Sequence, residues 1–139
     1  MILLDTNVVS EPMRPAPAAS VVAWINAQPL DTLYLSAVTV AELRVGIAQL
    51  PDGKRKIGLH EDLEQRLLPL FAGRVIAFDL ACSEAYAERV SMARKAGRMI
   101  VGADAYIAAT AANLGFVVAT RDAAPFEAAG LKVINPWQG

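Results

Sequence analysis

The sequence predicts an α/β protein, a three-layer α/β/α arrangement around a mostly parallel central sheet, and three observations carry that expectation. Short apolar runs alternate with segments of helical periodicity along the whole chain. The intervening segments are long enough to serve as the crossovers that parallel strands require. With 139 residues, 55% of them hydrophobic and 19% charged, the chain can bury a sizeable core and is too short for two ordinary domains, so residues 1–139 are expected to form a single domain.

Each element has its own reason. Residues 2–4 form an apolar run ended by Asp5, which suits a buried strand, and Pro12, Pro15 and Pro17 then punctuate what reads as an extended loop. Ser20 is placed to cap a helix running to about residue 28. Residues 32–36 alternate Leu33 and Leu35 against Tyr34 as a strand does, and a helix over 39–50 follows with Val40, Leu43, Ile47 and Leu50 on one stripe. A charged amphipathic helix is expected over 54–71, stopped by Gly73. Residues 74–78 read as a third strand. Asp79 can cap a helix over 80–96 that Gly97 closes. A helix over 103–114, a strand over 116–119 and a last short strand over 132–134 complete the pattern.

Composition excludes several classes of function. The longest uncharged windows, 15–30 and 105–120, are broken by Pro, Gly, Asn, Gln or Thr, so neither reads as a bilayer span. The opening MILLDTNVV lacks the cationic start of a secretory signal, and a cytoplasmic protein with no membrane partner is expected. One cysteine, Cys82, and one histidine, His60, cannot build a disulfide or a Cys/His zinc site, so a bound metal would be held by oxygen. A net charge of -1 argues against a wholesale basic coat for nucleic acid.

Four acids stand apart from the rest. Asp5 ends an apolar strand, Glu42 is the only charge between Asp31 and Arg44, Asp104 is the only charge between Arg98 and Arg121, and Asp122 follows the strand-like FVVAT. Ligands of open α/β sheets collect at the carboxyl ends of the strands, where Asp5 and Asp122 would lie. Helices start at that same edge, so Glu42 and Asp104, each expected in a first helical turn, would face the same crevice. Two carboxylates about 5 Å apart repel by roughly 3 kcal/mol at an effective dielectric near 20. A quartet must therefore be protonated or neutralised by a cation. An all-oxygen site suits Mg²⁺ or Mn²⁺, which can bind a phosphodiester and activate a water for in-line attack. Each acid also has a local alternative: a strand-end turn for Asp5, a Thr39-x-x-Glu42 capping box, an N-cap role for Asp104 and an Asx-turn for Asp122.

Together LLDTNVVS, SAVTVAELRVG around Glu42, GADAYIAATA around Asp104 and VATRD ending at Asp122 resemble the PIN-domain family, over nearly the whole chain. The compact length and the SEPMRP and NPW segments are most similar to the ribonuclease toxins of VapBC-type toxin–antitoxin modules, in particular the FitB-like VapC branch. The resemblance implies a PIN-like fold and a metal-dependent endoribonuclease in which Asp5, Glu42, Asp104 and Asp122 are the acidic quartet around Mg²⁺ or Mn²⁺. It further implies that Asn7 and Thr120 orient those acids or the substrate. It also implies a homodimer and a cognate VapB/FitA-like antitoxin, with operator DNA bound only through that antitoxin.

Lys54, Arg55 and Lys56, and Arg89, Arg94, Lys95 and Arg98, are candidate RNA phosphate contacts, against the alternative of solvated helix faces. Cys82 is expected in the core, His60 at the surface, and Trp24, Phe71 and Trp137 in packing. Two other functions stay open at this point. One is a non-catalytic acidic pocket for a basic peptide, the other a solitary RNA-processing nuclease. An aspartyl-phosphate enzyme is disfavoured, because Asp5-Thr6-Asn7 lacks the second aspartate of an Asp-x-Asp signature.

Overall fold

The computed structural model describes residues 1–138. Five strands, β1 (Ile2–Leu4), β2 (Leu33–Ser36), β3 (Val75–Ile76), β4 (Val117–Ala119) and β5 (Val133–Ile134), form one sheet in the order β3-β2-β1-β4-β5. Every pairing is parallel. Successive strand side chains point to opposite faces, and the burial follows that rule residue by residue. Leu4, Leu33, Leu35 and Ala119 join one apolar cluster with Val8, Val21, Val40, Leu43 and Phe71. Leu3 and Val118 join the other, with Ile107, Ala108, Ala111 and Phe126, and Tyr34 packs against it. Two cores separated by one sheet make the three layers that the sequence predicts.

The connecting helices are α1 (Thr6–Ser10), α2 (Ala19–Ala27), α3 (Ala37–Ala48), α4 (Lys54–Glu61), α5 (Leu68–Leu70), α6 (Leu80–Lys95), α7 (Gly102–Leu114) and α8 (Ala123–Ala128). Asp79 caps α6 as expected: its carboxylate accepts the Cys82 N–H at 3.0 Å, a bond that lowers its pKa. Gly115 ends α7 in the left-handed region, at φ 69°, where a side chain would be strained. Cys82 is buried, His60 exposed, Phe71 buried, and Trp24 and Trp137 pack partly buried against the first core.

Several boundaries differ from expectation. Residues 6–13 are not an extended loop but α1 and a 3₁₀ turn (Glu11–Met13), in which Pro12 sits in the first turn, where no N–H is needed. Ser20 does not cap α2. Ala18 precedes the helix, and its N–H is taken by the Glu11 carboxylate at 2.9 Å. Glu11 is thus a buried acid that the sequence pattern does not flag; the Ala18 N–H, with Arg14 beside it, holds its pKa below the usual range. Nor does the Thr39–Glu42 capping box form. Helix α3 starts two residues earlier, capped by Ser36, whose Oγ accepts from Val38 and Thr39 N–H at 3.0 and 3.3 Å.

The expected helix over 54–71 is interrupted by a π-helical stretch (Asp62–Leu67) before α5. Pro69 has no N–H to give to Gln65, and the Leu68 N–H instead reaches back five residues to the Leu63 carbonyl. The widened turn turns Leu63 fully into the core. Helix α8 has no counterpart in the sequence reading, because Pro125 within six residues masks a helical signal; Pro125 lies in the first turn and Phe126 anchors the helix in the second core.

That anchor gives a test. Phe126 is fully buried, so Phe126→Ala should cost about 3–5 kcal/mol in urea unfolding. A loss below about 1 kcal/mol would mean that α8 is not part of the cooperative core.

Candidate active site

The sheet order places the site. From β1 the chain moves outward through β2 and β3, then returns to pair β4 on the other side of β1, so the direction of winding reverses between β1 and β4. A crevice opens at the carboxyl ends of those two strands. Leu4 stands in register with Ala119, and the next residue, Asp5, donates its N–H to the Ala119 carbonyl at 2.9 Å. Asp5 therefore emerges from the middle of the sheet beside the segment that carries Thr120 and Asp122.

Asp5 is 3% exposed and densely bonded. Its Oδ1 accepts the Thr6 N–H at 2.8 Å, which starts α1. Its Oδ2 accepts the Thr120 hydroxyl at 2.7 Å and the Asn7 side-chain amide at 3.3 Å. The two polar neighbours in turn hold the opposite wall. Thr120 Oγ1 accepts the Asp122 N–H at 3.1 Å, and Asn7 Oδ1 accepts the Arg121 N–H at 3.3 Å. Burial pushes the Asp5 carboxyl upward against these bonds, and the charges of Glu42 and Asp122 push it further.

Asp104 lies in the first turn of α7, half-buried, and its carboxyl is pushed up to about 6, first by burial and then by the charges of Asp5, Asp122 and Glu42. All four acids thus feel one another, although they come from four separate stretches of chain. Glu42 reaches the group from the second turn of α3 rather than the first, with its Oε1 accepting the Thr6 hydroxyl. Asp122 precedes α8 and makes no side-chain cap there.

Among the described residues, no three of these side chains converge on one point as a ready-made metal cage. Bringing any two carboxylates from about 7 to about 5 Å costs roughly 1 kcal/mol at a dielectric near 20, a repulsion that a doubly charged ion can offset. The donor set is all oxygen, and among the described residues none of the four acids is in an ion pair. Arg121, adjacent to Asp122, does not neutralise it; its guanidinium stacks 5.1 Å above the Trp137 ring. An all-oxygen donor set of this kind suits a hard divalent cation.

The basic residues fare unevenly. Arg55 lines a cleft of about 310 Å³ with Thr6, Arg14 and Glu42, next to the acids. Lys56 is committed elsewhere, to the Ala48 carbonyl at 3.1 Å and Asp52 at 3.4 Å. Arg89 likewise serves structure, bonding the Ala129 carbonyl at 3.3 Å and pairing with Glu88. Lys54, Arg94, Lys95 and Arg98 are exposed. Sequence reasoning missed Thr6 and Thr39, whose hydroxyls lie 3.3 Å apart beside Glu42. The only available signal was their proximity in sequence to the acids.

Comparison with known proteins places the chain in a family. The PIN domain family pattern matches residues 2–131. The chain is 62% identical to plasmid stability protein StbB of Pseudomonas syringae pv. tomato, with 99% of each chain covered. It is 56% identical both to VapC ribonuclease Y4jK of Sinorhizobium fredii and to toxin FitB of Neisseria gonorrhoeae, again over 99% of each chain. Among solved structures, a chain of FitAcB from Neisseria gonorrhoeae superposes with a TM-score of 0.96 at 55% identity, covering 100% of both chains. A chain of FitAB bound to an IR36 DNA fragment gives 0.96 at 54%, covering 99% of this chain and 96% of that one. A sheet wound outward from β1, an acidic crevice at its point of reversal and full-length relatives at this level of identity lead to one assignment: the chain belongs to the PIN-domain family, alongside VapC- and FitB-type toxins.

Proposed function

We propose that this chain is a metal-dependent endoribonuclease and the toxin of a toxin–antitoxin pair, acting in the cytoplasm as a single PIN domain. The observation that carries the reading is the meeting of Asp5, Glu42, Asp104 and Asp122 at one sheet edge with, among the described residues, no ion pair to balance them. The ribonuclease and toxin relatives support it.

In this reading the four carboxylates hold Mg²⁺ or Mn²⁺. The ion would supply Lewis-acid polarisation of the scissile phosphodiester and lower the pKa of an attacking water. Thr120 and Asn7 orient Asp5 through its Oδ2, leaving the remaining lone pairs for ligation. Arg55, at the end of its cleft, is placed to meet an RNA phosphate beside Glu42. Lys54, Arg94, Lys95 and Arg98 remain candidates for the flanking strand, whereas the bonds of Lys56 argue against it. The partner is a VapB/FitA-like antitoxin, with a homodimer of this chain on one side and operator DNA bound through the antitoxin on the other. The structures of FitAcB and of FitAB bound to an IR36 DNA fragment support the antitoxin partner and a DNA-bound complex. No described helix is long and apolar enough to cross a membrane.

The decisive experiment is RNA cleavage by the purified chain with Mg²⁺ or Mn²⁺ and with EDTA. Cleavage should need the ion. Asp5→Asn and Asp104→Asn should each lower it by on the order of 100-fold or more, since even outer partners of a metal site are worth 10–100-fold. Undiminished metal-dependent cleavage in both variants would remove the basis of the reading.

The electrostatics predict a second result, in EDTA. Asp104 holds its proton more tightly when folded, with a pKa of about 6 against 3.8 for the ordinary group. Its contribution to stability is therefore greatest at low pH and falls as pH rises from about 4 through about 6. In thermal melts Asp104→Asn should flatten that decline and raise the melting temperature at pH 7. A variant that melts lower than the wild type at pH 7 would show that Asp104 is not repelled by its neighbours.

A further inference from the structure

We propose that Thr6, backed by Thr39, is the positioning residue that holds Glu42 and Asp5 in one metal site; this rests on the metal-dependent nuclease reading above. Thr6 touches both acids. Its backbone N–H donates to Asp5 Oδ1 at 2.8 Å, and its hydroxyl bonds Glu42 Oε1. It is the one described residue hydrogen-bonded to two of the four carboxylates.

Proton counting fixes the direction of the chain. A threonine hydroxyl carries one proton, and an ionised carboxylate can only accept. The Thr6 proton therefore goes to Glu42. The contact of 3.3 Å between the Thr6 and Thr39 hydroxyls must then be filled by the proton of Thr39. Thr39 is fully buried in the first part of α3, so its hydroxyl is held by the core. The relay runs Thr39 to Thr6 to Glu42.

The relay answers a problem specific to Glu42. Asp5 is a short buried side chain and Asp104 a short half-buried one, but Glu42 is exposed and has an additional free torsion. Left alone, it would spend most of its time in solvent, and ordering it would oppose ion binding. A hydroxyl donor restricts it without cancelling its charge, which a lysine or arginine would do. Because Thr6 follows Asp5 directly, the same residue that fixes Glu42 also fixes the start of α1 and the Asp5 carboxylate.

The test is Mn²⁺ titration calorimetry on full-length protein, with melting in EDTA as the control for folding. Thr6→Val keeps the shape and removes the hydroxyl; it should weaken Mn²⁺ binding about 10-fold or more, the scale of outer partners in metal sites. Thr6→Ser restores a hydroxyl and should bind within about 2-fold of wild type. Thr39→Val should weaken binding in the same direction by less, and gives an independent reading should Thr6→Val melt abnormally. Wild-type affinity in both valine variants, or a serine variant as weak as the valine one, would overturn the inference alone. Failure of the wild type itself to bind Mn²⁺ would instead overturn the nuclease reading on which it rests.

Discussion

The site depends on the pairing of β1 with β4. Because the chain winds away from β1 in both directions, β1 is the central strand and its carboxyl end is the one place where the helices of the two halves part. The hydrogen bond from Asp5 N–H to the Ala119 carbonyl at 2.9 Å is the last rung of that ladder before the two segments turn outward. A one-residue slip would exchange Leu3 with Leu4 and Val118 with Ala119 between the two cores, and would carry Asp5 away from Thr120. The apolar alternation on each strand thus secures the register, and the register places the carboxylates.

Much of this was legible in the sequence because strands in a buried parallel sheet have few alternatives. Three apolar residues ended by an acid, as in Ile2–Leu4 and Asp5, admit little besides a core strand whose end meets solvent. The isolation of Glu42 and Asp104 among uncharged neighbours was equally informative, because an acid so surrounded needs either a local hydrogen bond or a distant partner. What the sequence left ambiguous was which of these applied. Thr39-x-x-Glu42 has the form of a capping box, and only the earlier start of α3, at Ala37 behind the Ser36 cap, excludes it. The cap moved because Ser36 ends β2 in extended backbone, whereas Thr39 was already within the helix.

The features that escaped sequence reading share a cause. Helix α1, the Glu11 bond to Ala18 and the π-helical turn before Pro69 are short-range structures whose stability comes from tertiary partners rather than from propensity. Prolines at 12, 15 and 17 argue correctly against a long helix there, but they say nothing about a five-residue one placed before them. The basic residues show the same limit from another side. Lys54, Arg55 and Lys56 are consecutive and look alike, yet helical rotation sends Arg55 toward the acids and Lys56 toward the end of α3.

The side chains that hold the acids are also chemically selective. Those hydrogen-bonded to the site carboxylates are neutral: Thr6, Asn7 and Thr120. A guanidinium or ammonium in any of these positions would bind a carboxylate more strongly, through a charge-assisted bond, and would lower the free energy of the ion-free protein. It would also remove the charge that draws a cation in. Neutral donors orient without neutralising, so the burial and, after it, the repulsion that raise Asp104 to about 6 stay in the folded protein. Arg121, the cation nearest in sequence, is diverted onto the Trp137 ring, which holds it by its quadrupole and offers no carboxylate. The fold thus accepts an electrostatic cost at the crevice that its two apolar cores can offset, and in the proposed reading a divalent ion would convert that cost into binding.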